Sequence, residues 1–503
     1  MVAQYIGRHA GDRAEGSPGG RRSASQRWTR YRFPVQSTVE RILRARVYDV
    51  ARETPLDPAP RLSQRYGERI LLKREDLQSV FSFKLRGAYN KIVSLPPEVG
   101  KRGIAAASAG NHAQGVALAA SNLGYPALIA MPTTTPDIKV DAVVRLGAEV
   151  LLHGDTYDDA RDEVLRIAEE RGLAFVHPFD DPEVIAGQGT VGVEILRQHP
   201  DPLDAVFVPV GGGGLLAGVL AYIKFLRPET LVIGVEPEDA ACLEAALAAG
   251  KPVPLDHVGI FADGAAVKQI GDETFRVVKD RIDGVVCVNV DEMCAAILDL
   301  FEETRVMAEP AGALAVAGMK KWLEANGHGE NRNIVAIQSG ANINFHRLRH
   351  ISERAELGEK REVILAVTIP EEPGSFRNLC NTFGERGVTE FNYRYADSGD
   401  AQIFVGVRIS GGDEERKELV AALRAKGYEM VDMTDNELAV LHTRHMVGGR
   451  AAQLENERLM RFDFPERPGA LGRFLDLMSP GWNITLFHYR NHGAARGRVL
   501  AGI

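Results

Sequence analysis

The stretch Asp204-Ala-Val-Phe-Val-Pro-Val210, followed by Gly211-Gly-Gly-Gly214 and Leu215-Leu-Ala-Gly-Val-Leu-Ala-Tyr-Ile-Lys-Phe-Leu226, decides how this chain folds. Its first part is apolar and rich in β-branched residues and reads as a buried strand; its last part has the apolar period of a helix. Strand, glycines, helix is the geometry in which backbone N–H groups and a helix N-terminus hold a phosphate. A flexible linker would have polar flanks, and these flanks are core-like. A dinucleotide fingerprint would need glycine at position 216 or 217, where Leu216 and Ala217 stand, and the lysine of a P-loop is also absent.

Three further segments add chemistry to that loop. Ser82-Phe-Lys-Leu-Arg-Gly-Ala88 carries Lys84 among Leu77, Val80, Phe81, Phe83 and Leu85, which are expected to bury it. Burial disfavours an ammonium and prepares the amine to form a Schiff base. Alone, Lys84 would better suit a helix flank from which it reaches the solvent, and the other segments reverse that reading. Ser108-Ala-Gly-Asn-His112 follows the short strand Gly103-Ile-Ala-Ala-Ala107 and precedes a helix. It reads either as a site for an anionic carboxylate or as an ordinary helix cap. Ser339-Gly-Ala-Asn342 follows the strand Asn333-Ile-Val-Ala-Ile-Gln338. In open α/β sheets ligands gather at the carboxyl ends of strands, where the three loops that follow strands all fall. Together the four segments read as a site for pyridoxal phosphate, with Lys84 as the amine and the glycines as the phosphate cradle.

Composition narrows the class. The chain has 503 residues, 45% of them hydrophobic, enough for two or three domains at ~150 residues each. No apolar run reaches the ~18 residues of a membrane span, and a net charge of −8 argues against a nucleic-acid partner. Cys242, Cys287, Cys294 and Cys380 are scattered without metal or disulfide spacing, and no metal site is expected. They read as reduced thiols, which places the chain in the cytoplasm.

From about Val39 to its end the chain resembles the biosynthetic threonine dehydratases (threonine ammonia-lyases), members of the tryptophan-synthase-β-like, fold type II group of pyridoxal-phosphate enzymes. Ile185-Ala-Gly-Gln-Gly-Thr190 and Ala308-Glu-Pro-Ala-Gly-Ala313 share in the match. The resemblance implies an α/β catalytic domain of open twisted sheets flanked by helices over residues 32–351. A smaller lobe at about 80–185 would carry Lys84 and the Asn111 loop, with the cofactor in the cleft. It implies that Lys84, with Phe83, bonds the cofactor and that Gly211, Gly212, Gly213, Gly214 and Leu215 grip the phosphate. Asn111 would contact the 3′-oxygen and Ser339 the pyridine nitrogen, while Ser108, Ala109, Gly110, Asn111 and His112 would face the substrate carboxylate.

The implied reaction converts L-threonine to 2-oxobutanoate and ammonia on the route to isoleucine, with L-serine as an alternative substrate. A neutral serine at the pyridine nitrogen weakens the electron sink. That favours β-elimination, in which charge at Cα leaves with the β-hydroxyl, protonated in such enzymes by the cofactor phosphate. Lys84 would remove the α-proton. Similar serine racemases place a second serine where Ala109 stands, so racemisation is disfavoured. A dehydratase of broader specificity without effective feedback, another β-eliminating or β-replacing relative, and a silent amino-acid sensor are the competing readings.

Residues 1–31 hold six arginines amid Gly, Ser and Ala against only Asp12 and Glu15. Without an amphipathic period this reads as a disordered basic tail rather than a transit peptide. Residues 352–362 form a charge-dense connector. Beyond it the chain repeats: Pro370-Glu-Glu-Pro-Gly-Ser-Phe376 matches Pro465-Glu-Arg-Pro-Gly-Ala-Leu471, and Thr389-Glu-Phe-Asn-Tyr-Arg394 matches Thr485-Leu-Phe-His-Tyr-Arg490. The copies, 363–445 and 446–503, read as ferredoxin-like α+β units. They resemble the paired ACT-like regulatory modules of long threonine dehydratases, which bind isoleucine as inhibitor and valine as antagonist. The resemblance also implies a homotetramer; the alternative is a module that only oligomerises. Tyr393, Tyr489 and Arg490 are the candidate effector contacts, with buried core rings and a solvated arginine as the plainer alternatives. The second copy stops at Ile503 without a counterpart to Arg408–His445, from which impaired isoleucine feedback is expected.

Overall fold

The computed structural model describes residues 33–359, 361–370, 378–379, 382–383, 386, 388–394, 400–436, 458–465, 486–490 and 496–502. The basic segment 1–31, Cys380 and the Pro-Gly turns at 371–376 and 466–471 lie outside them.

The chain begins a large sheet with β1 (Leu56–Pro58) and β2 (Arg69–Arg74). It leaves to build a smaller one from β3 (Ile104–Ala107), β4 (Ala127–Met131), β5 (Glu149–Leu152) and β6 (Ala174–Phe175). It then returns with β7 (Ala205–Pro209), β8 (Leu231–Pro237), β9 (Gly284–Val288) and β10 (Asn333–Gln338). The large sheet runs β1-β2-β10-β7-β8-β9, parallel except for β1. The small sheet runs β5-β4-β3-β6, all parallel.

Parallel sheets bury both faces, which is why their strands are apolar without alternation. In β7 every residue is buried: Ala205 and Phe207 enter one core with the Val290–Thr304 and Pro310–Asn326 helices. Val206 and Val208 enter another with the Pro182–Gln198 and Gly214–Leu226 helices. In β3, Ile104 and Ala106 face one core of the small lobe, and Ala105 and Ala107 the other.

Two helices join the lobes, Lys84–Val93 on the way out and Pro182–Gln198 on the way back. Their backbones touch. A Cβ on Gly187 would lie 2.6 Å from the Arg86 carbonyl oxygen and 2.7 Å from the Gly87 Cα. Beneath this crossing lies a fully buried ionic cluster. Arg86 donates through Nε to Glu75 at 2.8 Å and through Nη1 to Glu194 at 2.6 Å, and Lys73 reaches Glu194 at 2.6 Å; all four side chains have zero exposure.

The stretch beginning at 352, read above as a connector, lies largely within the Leu348–Gly358 helix, whose Ile351 and Ala355 join the core of the large lobe. Beyond it, β11 (Glu362–Pro370), β12 (Val388–Arg394), β13 (Asp400–Arg408), the Gly412–Ala425 helix and β14 (Glu429–Asp432) form an antiparallel sheet ordered β12-β13-β11-β14. This is the ferredoxin-like arrangement. β15 (Leu459–Pro465), β16 (Leu486–Arg490) and β17 (Arg496–Gly502) form a second sheet ordered β15-β17-β16. The two copies share their register, with Tyr393 opposite Ile403 in one and Tyr489 opposite Val499 in the other.

Candidate active site

Adjacent strand ends bring the predicted segments together. β10 lies between β2 and β7, so Ser339 emerges beside the glycine loop that follows β7. The Lys84 segment is stitched onto the Ser339 segment: the Phe83 N–H donates to the Ser339 carbonyl at 3.3 Å and the Ala341 N–H to the Phe81 carbonyl at 2.9 Å. Phe83, Lys84, Gly211, Gly212, Gly213, Gly214, Leu215 and Ser339 line one pocket, together with Phe179 and Ala311.

Lys84 opens the Lys84–Val93 helix, and its Nζ donates to the Pro178 carbonyl at 3.1 Å. Burial lowers its pKa to about 8, while the charge of Glu309 works the other way. The apolar setting differs from the sequence expectation. Phe81 is 55% exposed and Leu77 40% exposed, whereas Val80 and Leu85 are buried. Phe81 adopts a left-handed backbone (φ 56°) in a turn closed onto Gln78, which sends its ring outward and leaves only its carbonyl at the site.

The glycine loop is held from behind. The Cys242 thiol donates to the Gly211 carbonyl at 3.3 Å, and the Thr274 hydroxyl donates to the Gly212 carbonyl at 2.9 Å. In a trans peptide the N–H points opposite the carbonyl, so the N–H groups of Gly212 and Gly213 turn away from these anchors. Side chains have no room: a Cβ on Gly212 would lie 2.2 Å from the Phe179 ring, and Gly213 has φ +88°. The Gly214–Leu226 helix starts directly behind, while Leu215 sends its side chain into the core and offers the site only its backbone. A glycine cradle at a helix N-terminus, a depressed lysine amine and a neutral serine hydroxyl fit a phosphate-bearing pyridine aldehyde.

The Asn111 loop faces the same region from the small lobe. Asn111 Nδ2 donates to Glu309 Oε1 at 2.6 Å, and its Oδ1 accepts from Asn342 Nδ2 at 2.6 Å. Ser108 Oγ accepts from the Gly110 N–H at 3.2 Å, and a Cβ on Gly110 would meet nothing within 4 Å. Ala109 and Gly110 are partly exposed, at the start of the Asn111–Leu123 helix. His112 departs from this group. Its ring is buried and its Nε2 lies 2.9 Å from the Val176 carbonyl, so the imidazole points into the small lobe. Burial, reinforced by the Lys84 charge, lowers its pKa to about 3 and keeps it neutral.

Three contributors escaped the sequence reading. His177-Pro178-Phe179-Asp180 ties Lys84, the glycine loop and the Asp272–Val278 helix together; Asp180 accepts N–H bonds from Asp272, Glu273 and Thr274. Gly264 and Ala265 line the pocket. Glu309 belongs to a motif noted above, but its partner Asn111 is distant in sequence. Burial, with the Asp263 charge next, raises its pKa to about 7. Among the described residues no group of three or more His, Cys, Asp or Glu is placed to hold a metal, and no helix is long and apolar enough to cross a membrane.

A two-lobed α/β fold with a lysine, a glycine cradle and a serine at one cleft defines a pyridoxal-phosphate enzyme of fold type II. Residues 47–340 match the family described as pyridoxal-phosphate dependent enzyme. Residues 353–443 and 448–503 match the C-terminal regulatory domain of threonine dehydratase. Biosynthetic L-threonine dehydratase of Burkholderia multivorans is 56% identical over 92% of this chain and 92% of its own length. That of Escherichia coli is 57% identical over 92% of this chain and 89% of its own length. The structure of the processed form of threonine deaminase isoform 2 from Solanum lycopersicum superposes with a TM-score of 0.63 at 50% identity, covering 64% of this chain and 93% of that one. The chain belongs to the threonine dehydratase family of pyridoxal-phosphate-dependent lyases.

Proposed function

We propose that this chain catalyses the dehydration and deamination of L-threonine to 2-oxobutanoate and ammonia, with L-serine as a second substrate. The observation that carries the reading is the docking of Lys84, its pKa lowered to about 8, against the Ser339 segment in the pocket formed by the glycine loop. Bound pyridoxal phosphate supplies the sink for the electron pair left at Cα when the α-proton departs. Lys84 takes that proton, since an amine of this pKa is partly neutral at physiological pH. The loop Gly211–Gly214 with Leu215 would hold the phosphate, Asn111 would donate to the 3′-oxygen, and Ser339 would meet the pyridine nitrogen with a neutral hydroxyl. The loop from Ser108 to Asn111 receives the substrate carboxylate at the start of its helix. Ala109 has no proton to deliver to the opposite face of Cα.

In this reading the product feeds isoleucine formation in the cytoplasm. Isoleucine and valine bind the C-terminal domain as opposing effectors, with Tyr393, Tyr489 and Arg490 as contacts, and the enzyme is a homotetramer. The regulatory-domain match and the shared register of the two tyrosines support this part. The test is keto-acid release from L-threonine and L-serine with isoleucine titrated in, set beside Lys84→Ala. Release that Lys84→Ala abolishes is expected. A cofactor-loaded chain that releases no keto acid from either substrate refutes the assignment.

A further inference from the structure

We propose that Glu309 is a positioning residue which, with Asn342, fixes the amide of Asn111 so that one N–H is presented to the cofactor's 3′-oxygen. The inference rests on the assignment of Asn111 made above and deepens it.

The direction of the hydrogen-bond chain is forced from both ends. At one end stands the Val80 carbonyl, which can only accept, so the group of Asn342 that faces it at 2.8 Å is the amide nitrogen. The same nitrogen lies 2.6 Å from Asn111 Oδ1, which engages both N–H bonds of Asn342. At the other end Glu309 Oε1 accepts from Asn111 Nδ2 at 2.6 Å. Ionised, Glu309 has no hydrogen to give, and reversing the Asn111 amide would place two oxygens face to face; protonated, it leaves reversal barred by the Asn342 end, where two N–H groups would meet. An asparagine amide has one carbonyl and two N–H donors. With the carbonyl and one N–H engaged, the second N–H is the group that Asn111 has left for a ligand. A donor favours the ionised form of the oxygen it meets, whereas the reversed amide would offer an acceptor and favour the phenol.

Packing around Glu309 serves the same end. Glu309 sits at the N-cap of the Pro310–Asn326 helix yet makes no capping bond there. Its carboxyl is instead buried and turned toward Asn111. Gly340 gives it space, since a Cβ there would lie 2.3 Å from Glu309 Oε1; Gly312 in turn makes room for the Gly340 backbone, whose carbonyl oxygen would lie 2.1 Å from a Cβ at 312. The charged groups facing Glu309 are Asp263, Lys139 and Arg347, and its own charge acts on Lys84. Protonated or ionised, Glu309 keeps an oxygen that accepts from Asn111, so the amide stays fixed across neutral pH.

The test uses the full chain loaded with pyridoxal phosphate and reads two quantities: cofactor content, and the ratio of the visible to the near-ultraviolet absorption band. That ratio reports the ionisation of the 3′-oxygen. Glu309→Leu and Asn342→Leu are each expected to lower the ratio several-fold. Glu309→Gln, whose amide oxygen still accepts from Asn111, is expected to hold it within twofold. An unchanged ratio in both leucine variants at full cofactor content overturns the proposal. So does an equal fall in Glu309→Gln and Glu309→Leu, which would assign the effect to charge rather than orientation. If Glu309→Leu does not fold, Asn342→Leu decides alone. A wild-type chain that takes up no pyridoxal phosphate brings down the underlying assignment, and the proposal with it.

Discussion

Lys139 of the small lobe and Asp263 of the large lobe are joined by an ion pair with Nζ 2.5 Å from Oδ2, directly beside Gly264 at the edge of the pocket. Arg347 approaches the other carboxylate oxygen at 3.8 Å and also donates to the Phe261 carbonyl. Burial pushes the Asp263 pKa up, but Lys139 and Arg347 outweigh it and hold it below the usual range. Both members of the pair are partly exposed, which sets its worth at about 0.2–1 kcal/mol. Asp263→Asn should therefore raise KM for L-threonine by up to about fivefold with little change in kcat. High salt should raise the wild-type KM toward the variant's and leave the variant unmoved. A KM that ignores both salt and substitution would mean that the pair does not hold the lobes together.

The Lys84 amine sets a pH dependence for cofactor capture. With a folded pKa lowered to about 8, the neutral amine is the minor form below that pH. The rate at which cofactor-free protein takes up pyridoxal phosphate should rise about tenfold per pH unit below pH 8 and level off above it. The charged amine is disfavoured by folding, so Lys84 costs stability at pH 7. That cost should fade as pH rises from 8 toward the ordinary lysine value. Stopped-flow absorbance across pH 6–10 measures the first effect. A rise that continues to pH 10 without levelling off would give the amine the ordinary lysine value and place it in solvent.

Removing Arg86 should leave Glu75 and Glu194 buried with Lys73 as their remaining partner in the cluster. Breaking one partner out of a buried ionic cluster costs about 3–5 kcal/mol. Arg86→Met should lose that much in urea unfolding of the cofactor-free chain. A loss below about 1 kcal/mol would show that water reaches the cluster.

Gly340→Ala puts a methyl group 2.3 Å from Glu309 Oε1 and 3.2 Å from the Phe81 carbonyl oxygen. Overpacking of this kind costs about 1–3 kcal/mol, and here it falls on the Asn111 partner. Equilibrium dialysis should find cofactor affinity reduced about tenfold or more, the free-energy equivalent of that strain. Wild-type affinity would mean that Glu309 moves aside without consequence.

Much of the catalytic fold is legible because its signals are local. The apolar runs at Ala205–Pro209 and Asn333–Gln338 are strands, and the glycines at 211–214 stand where a loop must turn into a helix. The offset between the C-terminal copies survives in the register of Tyr393 and Tyr489. What escaped depends on directions and on distant partners. Helical neighbours point about 100° apart, so Asn111 can face the cleft while His112 enters the core. Phe81 looks like part of an apolar shell, but a left-handed turn reverses it. Phe179 reaches Gly212 across the lobe boundary, a contact that no spacing announces.

The crossing of the two lobe-joining helices at Gly87 and Gly187 has a mechanical consequence. Backbone lies against backbone there, with the Gln188 side chain accepting from the Gly87 N–H beside the contact. With this little room, neither helix can shift against the other without a backbone clash. Lys84 stands one turn from that contact. The amine is thereby anchored where the two lobes have the least freedom to slip past one another, and it keeps its register with the glycine loop.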